Sequence, residues 1–517
     1  MRGDRPEPAL PTATAPTAGG RGRPGKINGA TNAPGSSLPG LVMLDAVELS
    51  RAIHAKRVSC REVMEAHLDH IGRMNPAANA IVSLRPREVL MAEAQERDDR
   101  LARGETVGWM HGFPHAVKDL AATAGLRTTF GSPLFEEHIP QADAIVVERM
   151  RAAGAIIIGK TNTPEWGIGS QTYNPIFGTT TNAYDPSRTA GGSSGGAAVA
   201  LALRMVPVAD GSDIAGSLRN PPGWNNVVDL RPSRGRLPYG PTPEVFVQQF
   251  GTEGPMGRSV ADTAMLLAVM AGPDARTPLS LGDDPRSFAR PLDRDLRGLR
   301  VGWLGSLIDQ LPFESGVVDL CRSALDGFET IGCAVEDARL DFPRERIWDS
   351  FVKLRSWLNA GALRSLYTDP AKRARLKPEA VWEVETGMKL SGEEVFAASL
   401  ARSELYQAVR GLLERFDYLV LPTAQAFPFH ATLHWPEEID GVRMDSYHRW
   451  MEVVALPTLC GLPTIALPAG FDVRGLPMGL QIIGRWRDDL GVLQLAHAYE
   501  GATDWTRKVM PPPVRAS

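Results

Sequence analysis

The stretch from Arg188 to Pro221 constrains this chain most, because it holds two serine-bearing glycine turns close together. It reads RTAGGSSGGAAVALALRMVPVADGSDIAGSLRNP, with the turns at residues 191–196 and 211–217. The small residues of 197–203 predict a helix between the turns, and the apolar run 205–209 predicts a buried strand. One helix followed by one strand can bring both turns to the same edge of a sheet.

Composition and charge exclude several classes of protein. The chain has 517 residues and a formal net charge of -4, so it lacks the basic footprint of a nucleic-acid-binding protein. No apolar run reaches the roughly 18 residues of a membrane span. The cysteines show no metal-binding spacing, and we expect them to be free thiols in a reducing, cytoplasmic compartment. They are Cys60, Cys321, Cys333 and Cys460.

The chain divides into a short extension and one large domain. Residues 1–42 are rich in Pro, Gly, Ala and Thr and have few large apolar side chains, so we expect them to be disordered. In residues 43–517 predicted strands alternate with predicted helices, which indicates a layered α/β domain. An apolar content of 43% is enough for such a domain to bury a large core.

Three interpretations of the serine turns have to be compared. Glycine-serine clusters are most often ordinary loops. Residues 191–195 and 192–196 both match the GxSxG motif of α/β-hydrolases, but that motif needs a preceding strand, and residues 184–188 are turn formers. The third interpretation is a serine hydrolase whose base is a lysine. The run HGFPHAVKD, residues 111–119, predicts a turn and a short apolar strand that ends at Lys118, and most lysines in such a place are surface charges.

Residues 154–161 formally match the phosphate-loop pattern GxxxxGKT. A phosphate loop needs its central residues as backbone donors that follow a strand. Here the central Ala-Ile-Ile-Ile run is itself the predicted strand. We therefore expect no nucleotide site at Lys160.

Several motifs, taken together and in order, resemble those of the amidase signature family. They are GFPHAVKD at 112–119, GKTN at 159–162, GGSSGG at 191–196, GSDIAGSLRNP at 211–221 and LPAGFDVRGLPMGLQIIG at 467–484. The resemblance extends over about 43–510. It implies the amidase signature fold, a single large α/β/α layered domain with a central mixed, twisted sheet.

The resemblance also implies the catalytic roles. Ser217 is the expected nucleophile, Ser193 follows a cis peptide bond and links it to the lysine, and Lys118 is the expected base. The oxyanion hole is expected to be formed by backbone N–H groups of the second turn, those of Ile214, Ala215, Gly216 and Ser217. Three further side chains are expected to order the site from behind: Ser194, Asp213 and Arg219. Neither a metal nor an organic cofactor is implied.

The chemistry of a lysine base makes its own prediction. A serine hydroxyl is a poor nucleophile unless a base removes its proton. A lysine can be that base only when it is neutral, and burial favours the neutral amine. We therefore expect the side chain of Lys118 to be buried.

The chain departs from the family pattern at Asp229, where glycine is usual, and at Ala215, where glycine is frequent. An aspartate at 229 is expected either to pair with a neighbouring arginine or to lower stability. The aromatic-rich segment 344–416, which includes Trp348 and Trp382, is expected to shape the substrate pocket.

These observations predict an amidase that acts on a small, fairly apolar amide, with aryl amides among the candidates. Carbamates, esters and cyclic amides could be cleaved by the same residues. The less favoured alternatives are the amide-cleaving component of a tRNA-dependent amidotransferase and a catalytically silent binding protein. We expect a small-molecule substrate, no nucleic-acid or membrane partner, and a homodimer.

Overall fold

The computed structural model describes residues 38–247 and 249–515. Most of the predicted extension, residues 1–37, lies outside the described residues. Residues 38–42 belong to a short 3-10 helix, Leu38–Met43, in which Val42 is buried.

The helices of the described residues begin early in the chain and recur to its end. They are α1 Ala46–His54, α2 Cys60–Ala78, α3 Arg87–Ala102, α4 Ile145–Ala152, α5 Gly195–Ala202, α6 Asn220–Asn225, α7 Val260–Met270, α8 Gly305–Ile308, α9 Val317–Ser323, α10 Asp326–Thr330, α11 Arg344–Tyr367, α12 Pro370–Arg373, α13 Pro378–Met388, α14 Gly392–Leu413, α15 Ala455–Cys460, α16 Asp489–Thr503, α17 Trp505–Lys508 and α18 Pro512–Arg515. Further 3-10 helices are Pro133–Phe135, Glu165–Gly167, Pro285–Ala289 and Arg449–Val454.

The strands lie between these helices. They are β1 Ile81–Val82, β2 Pro114–Lys118, β3 Ile156–Thr161, β4 Tyr173–Asn174, β5 Gly178–Thr179, β6 Ala209–Asp213, β7 Val228–Arg231, β8 Thr252–Gly257, β9 Arg300–Trp303, β10 Ala334–Asp337, β11 Tyr418–Pro422, β12 Glu438–Ile439, β13 Val442–Arg443, β14 Thr464–Phe471 and β15 Pro477–Ile483.

The largest sheet has the strand order β10-β9-β11-β15-β14-β7-β8-β6. Strand β9 runs parallel to β10 and β11, and the remaining neighbours are antiparallel. Helices α6, α9 and α16 pack against β14 and β15. The predicted α/β fold with a mixed sheet is therefore confirmed.

A smaller sheet has the order β1-β3-β2 and carries Lys118 at the end of β2. Residues 156–161 form strand β3, which confirms that they are not a phosphate loop. The Lys160 ammonium is fully buried and donates to Ala121 O at 2.6 Å and to Thr123 Oγ1 at 2.8 Å. It stabilises the backbone that follows β2.

The strand predicted at 205–209 is displaced in the structure. Helix α5 ends before Arg204, which has a left-handed φ of 60°, and β6 begins only at Ala209. The carbonyls of the preceding segment accept hydrogen bonds from buried histidines rather than from a neighbouring strand: His70 Nε2 lies 2.7 Å from Leu203 O, and His67 Nδ1 lies 3.2 Å from Met205 O. The apolar run therefore predicted the strand too early in the chain, because the residues that form β6 are mostly small and polar.

The four cysteines are free thiols, as predicted, and all four are buried. Among the described helices, none combines the length and the apolar character needed to cross a membrane.

Candidate active site

Lys118 is positioned by a carboxylate of the neighbouring strand β6. The backbone N–H of Lys118 donates to Asp210 Oδ2 at 3.1 Å, and His115 Nε2 lies 3.0 Å from Asp210 Oδ1. All three residues are buried. Asp210 thus fixes the end of β2 against β6, although the two strands belong to different sheets.

The Lys118 ammonium lies among serines of both glycine turns. Its Nζ is 2.9 Å from Ser193 Oγ, 2.8 Å from Ser194 Oγ and 3.0 Å from Ser212 Oγ. The side chain is completely buried, as expected from the sequence. Burial lowers the pKa of Lys118, and the carboxyls of Glu253 and Asp210 oppose this effect without reversing it.

The first glycine turn is held close to its surroundings. The Gly192–Ser193 peptide bond is cis, as the resemblance implies. Ser170 Oγ donates to Gly192 O at 2.6 Å. A Cβ at Gly196, at the start of α5, would overlap the backbone N of Asn162, so only glycine allows this approach.

The second turn follows β6 and is organised by Asp213. Gly216, at a φ of 92°, donates its backbone N–H to Asp213 Oδ1 at 2.9 Å, and Leu218 donates to Asp213 Oδ2 at 2.9 Å. The N–H of Gly216 is thereby used within the turn. The expectation that it points to an oxyanion is therefore not met in this structure.

The other predicted donors of the second turn are available. Among the described residues, the backbone N–H groups of Ile214, Ala215 and Ser217 have no hydrogen-bond acceptor. The Ser217 hydroxyl likewise makes no hydrogen bond within the described part of the chain, and Ser217 is 6% exposed. Each of these three residues lines the same cavity as Ser193.

Two buried arginines hold Asp213. Arg219 donates to both carboxylate oxygens through Nε and Nη2, each at 3.0 Å, and Arg231 Nη1 lies 3.1 Å from Oδ1. Burial alone would raise the pKa of Asp213, but the two guanidinium groups hold that pKa well below its usual range. Asp213 is therefore an ionised anchor for the turn.

The cavity beside these residues has a volume of about 250 Å³. One wall is aromatic, because Phe130 and Trp166 stack with their ring centroids 5.6 Å apart and their planes 8° from parallel. The remaining lining residues are mixed in polarity; they are Leu120, Gly167, Gly169, Ser193, Ser212, Asp213, Ile214, Ala215, Ser217, Tyr239, Gly251, Thr252, Glu253, Arg355 and Met451.

The aromatic wall differs from the one expected. Segment 344–416 contributes only Arg355 to the lining of this cavity, and that guanidinium is bound by Glu383 at 2.7 Å and by the Tyr447 hydroxyl at 2.9 Å. Trp348 packs instead against Phe351 in the core. Other aromatic residues of the segment, Trp357 and Phe396, are exposed.

Asp229 does not pair with an arginine. It lies on β7 opposite Ala466 of β14 and Met256 of β8, and neither carboxyl oxygen has a hydrogen-bond partner among the described residues. Both nearby guanidinium groups are instead bound to Asp213. Burial, and then the charge of Asp213, raises the pKa of Asp229 well above its ordinary value.

Sequence reasoning missed Ser212 and Glu253. Ser212 contacts Lys118 through its hydroxyl, and its carbonyl oxygen lies 3.2 Å from Lys118 Nζ. Ser212 stood within a turn already identified, but the turn was not resolved into a strand and a loop. Glu253 could have been noticed as an acidic residue within the otherwise weakly polar run TEGPMG.

Comparison with known proteins assigns the family. Residues 62–493 match the family model described as Amidase. An acylamidase of Rhodococcus erythropolis is 33% identical over 470 residues, which cover 90% of this chain and 96% of the relative. The chain belongs to the amidase signature family and is an amide-hydrolysing enzyme.

Two further relatives differ from each other in the function that is named for them. A solved bacterial aryl acylamidase of the same family superimposes with a TM-score of 0.84 at 29% identity, covering 90% of this chain and 98% of that one. One component of the glutamyl-tRNA(Gln) amidotransferase of Thermosynechococcus vestitus (strain NIES-2133 / IAM M-273 / BP-1) is 32% identical over 483 residues, covering 89% of this chain and 98% of the relative.

Proposed function

We propose that this enzyme hydrolyses the C–N bond of a small, largely apolar amide, with aryl amides as the leading substrate class, through an acyl-enzyme on Ser217. One observation carries the proposal. A buried lysine amine contacts Ser193, and both Ser193 and an unpaired Ser217 hydroxyl line one cavity. Nucleophilic catalysis requires a nucleophile that an adjacent base activates, and Ser217 with the desolvated amine of Lys118, linked by Ser193, can supply both.

In the proposed first step, Ser217 Oγ attacks the amide carbonyl while its proton passes through Ser193 to the neutral amine of Lys118. The proton then moves to the departing nitrogen, the C–N bond breaks, and the amine leaves. Catalytic hydrogen bonds often tighten only when substrate is bound, so the link between Ser217 and Ser193 is expected to close at that stage. Water then attacks the acyl-enzyme with the same relay as base. The ester bond to Ser217 Oγ breaks, the carboxylate leaves, and Ser217 regains its proton.

The developing oxyanion is assigned to the available N–H groups of Ile214, Ala215 and Ser217. Donors fixed toward such an oxygen act in a site of low dielectric, where the loss of one typically costs about 2.7–4 kcal/mol of transition-state stabilisation. Asp213 holds the turn in place, because it binds the N–H groups of Gly216 and Leu218 on the turn's inner side.

The aromatic wall supports the choice of substrate. Flat aromatic faces such as those of Phe130 and Trp166 bury a planar ring well. The acylamidase relative and the aryl acylamidase structure support the same substrate class. A cavity of about 250 Å³ suits a small amide rather than a polypeptide segment.

The test compares Ser217→Ala and Lys118→Met with Ser403→Ala, an exposed serine on α14. Amine release from acetanilide and a panel of simple amides, esters and carbamates is measured, together with labelling by a fluorophosphonate probe. We expect Ser217→Ala to lose labelling and all measurable turnover, Lys118→Met to lose about 10²–10⁴-fold in kcat, and Ser403→Ala to match wild type. Turnover that survives in folded Ser217→Ala would refute the nucleophile.

The relatedness to amidotransferase components favours a second assay. Glutamine hydrolysis is measured for the chain alone and after mixing with the other components of a glutamyl-tRNA amidotransferase. Glutaminase activity that depends on those partners, with no activity on aryl amides, would replace the proposed function. Preference for an ester or carbamate over the matched amide would instead revise the bond that is cleaved.

A further inference from the structure

Glu253 lies on the same face of the sheet as the serine beside the proposed base. In the antiparallel pair of β6 and β8, Glu253 is the direct partner of Ser212. Side chains of directly opposed residues lie on one face of such a pair. Because the Ser212 hydroxyl contacts Lys118, the Glu253 side chain is directed toward the same region, and it lines the cavity with Ser193 and Ser217.

The carboxyl of Glu253 has no partner within the described part of the chain. The residue is 8% exposed, its Oε2 is buried, and neither carboxyl oxygen takes part in a hydrogen bond there. A buried polar group left without a partner is costly, and each such group in a native protein requires an explanation. A carboxyl that lines a substrate cavity is explained if the substrate supplies the missing partner.

The surroundings indicate which kind of partner fits. Burial, and then the charge of Asp210, raises the pKa of Glu253, while Lys118 and Lys160 act in the opposite direction. The protonated acid that this favours both donates and accepts a hydrogen bond. A hydroxyl group has the same two capacities and brings no charge close to the amine of Lys118.

We propose that Glu253 is a specificity-determining residue that binds a hydroxyl substituent on the amide substrate. The inference rests on the proposed function and makes it narrower. The aromatic wall of Phe130 and Trp166 holds the apolar part of the substrate, and Glu253 reads a polar group attached to it. An analogue without the hydroxyl leaves the buried carboxyl unpaired, which is the strongest basis for discrimination that a site can use.

The test uses the purified full chain and acetanilide together with its 2-, 3- and 4-hydroxy derivatives. For each protein, kcat/KM is measured on all four compounds. Wild type should prefer one hydroxy isomer over acetanilide by about 10- to 100-fold, the typical effect of leaving one buried hydrogen-bonding group unpaired. Glu253→Leu should reduce that ratio to about one, and Glu253→Gln should retain most of it, because a carboxamide also donates and accepts. Glu329→Leu, an exposed glutamate of α10, is the control and should keep the wild-type ratio.

The outcomes separate the two proposals. If wild type hydrolyses none of the four compounds, the proposed aryl-amide function fails and this assignment fails with it. If wild type hydrolyses them without preference, only the role of Glu253 is overturned. The role of Glu253 would also be overturned if Glu253→Leu lowered kcat/KM equally on all four compounds. The same holds if Glu253→Gln lost as much of the preference for the hydroxy isomer as Glu253→Leu. Thermal unfolding of both variants verifies that they are folded.

Discussion

Replacing Asp213 by asparagine tests whether one buried carboxylate supports both the fold and the oxyanion turn. The carboxylate accepts hydrogen bonds from the N–H groups of Gly216 and Leu218, from two nitrogens of Arg219 and from Arg231. Asparagine has one oxygen and one NH2 group, so two or three of these five hydrogen bonds are lost, and the NH2 group faces the donors that made them. Removing one partner from a buried ion pair costs about 3–5 kcal/mol, a large share of the ~5–15 kcal/mol that stabilises a typical protein.

Chemical unfolding in urea measures this loss, and amide hydrolysis measures the effect on the turn. We expect Asp213→Asn to lower the free energy of unfolding by about 3–5 kcal/mol and to reduce kcat by up to about 10²-fold through displacement of the turn. The matched control is Asp295→Asn, which breaks an exposed pair with Arg297 and should leave the unfolding midpoint unchanged, because water already screens that pair. Equal effects of the two substitutions would refute the reasoning.

Two further predictions concern ionisation. If Lys118 is the base, kcat/KM should rise with pH as the amine loses its proton. The midpoint of this rise should lie well below the ordinary lysine pKa of about 10.4, because burial lowers the pKa of Lys118. A rise only above pH 10 would contradict this. Asp229 has a raised folded pKa, so its favourable contribution is complete below the unfolded value of about 3.9 and is lost as pH increases through the folded pKa. Thermal unfolding should therefore show Asp229→Asn gaining stability relative to wild type as pH rises from 4 to 8, and a pH-independent difference between the two would argue against a protonated carboxyl.

Features of the site that depend on a single sequence motif were predictable. The serine turns followed from residues 188–221. The burial of Lys118 followed from the requirement that a lysine base be neutral, and the cis bond before Ser193 followed from the resemblance. The mixed α/β fold followed from the alternation of strands and helices and from the resemblance. The serine turns were predictable because they depend on local sequence, such as glycine where one backbone must approach another.

The remaining features depend on pairings between distant segments. The sequence left open whether Asp229 pairs with a neighbouring arginine. The packing of β7 beside the second turn decides this, because it brings Arg231 to Asp213 instead. The N–H of Gly216 was assigned to an oxyanion because the turn was treated as a row of equivalent donors, whereas Asp213 uses one of them. The aromatic wall came from Phe130 and Trp166, which are isolated in sequence and meet only in the folded chain.

The carboxyl groups around Lys118 explain how its amine can be neutral in an acidic neighbourhood. Asp210, Asp213, Asp229 and Glu253 all act on it, and four free carboxylates would stabilise the ammonium form. The charge of Asp213 is balanced by two arginines, and Asp210 is used by a histidine and by the end of β2. Burial raises the pKa of both Asp229 and Glu253, so neither contributes a full negative charge. The surrounding carboxyl groups therefore only weakly oppose the lowering of the Lys118 pKa by burial. A lysine base requires this, because it must lose its proton before it can accept one.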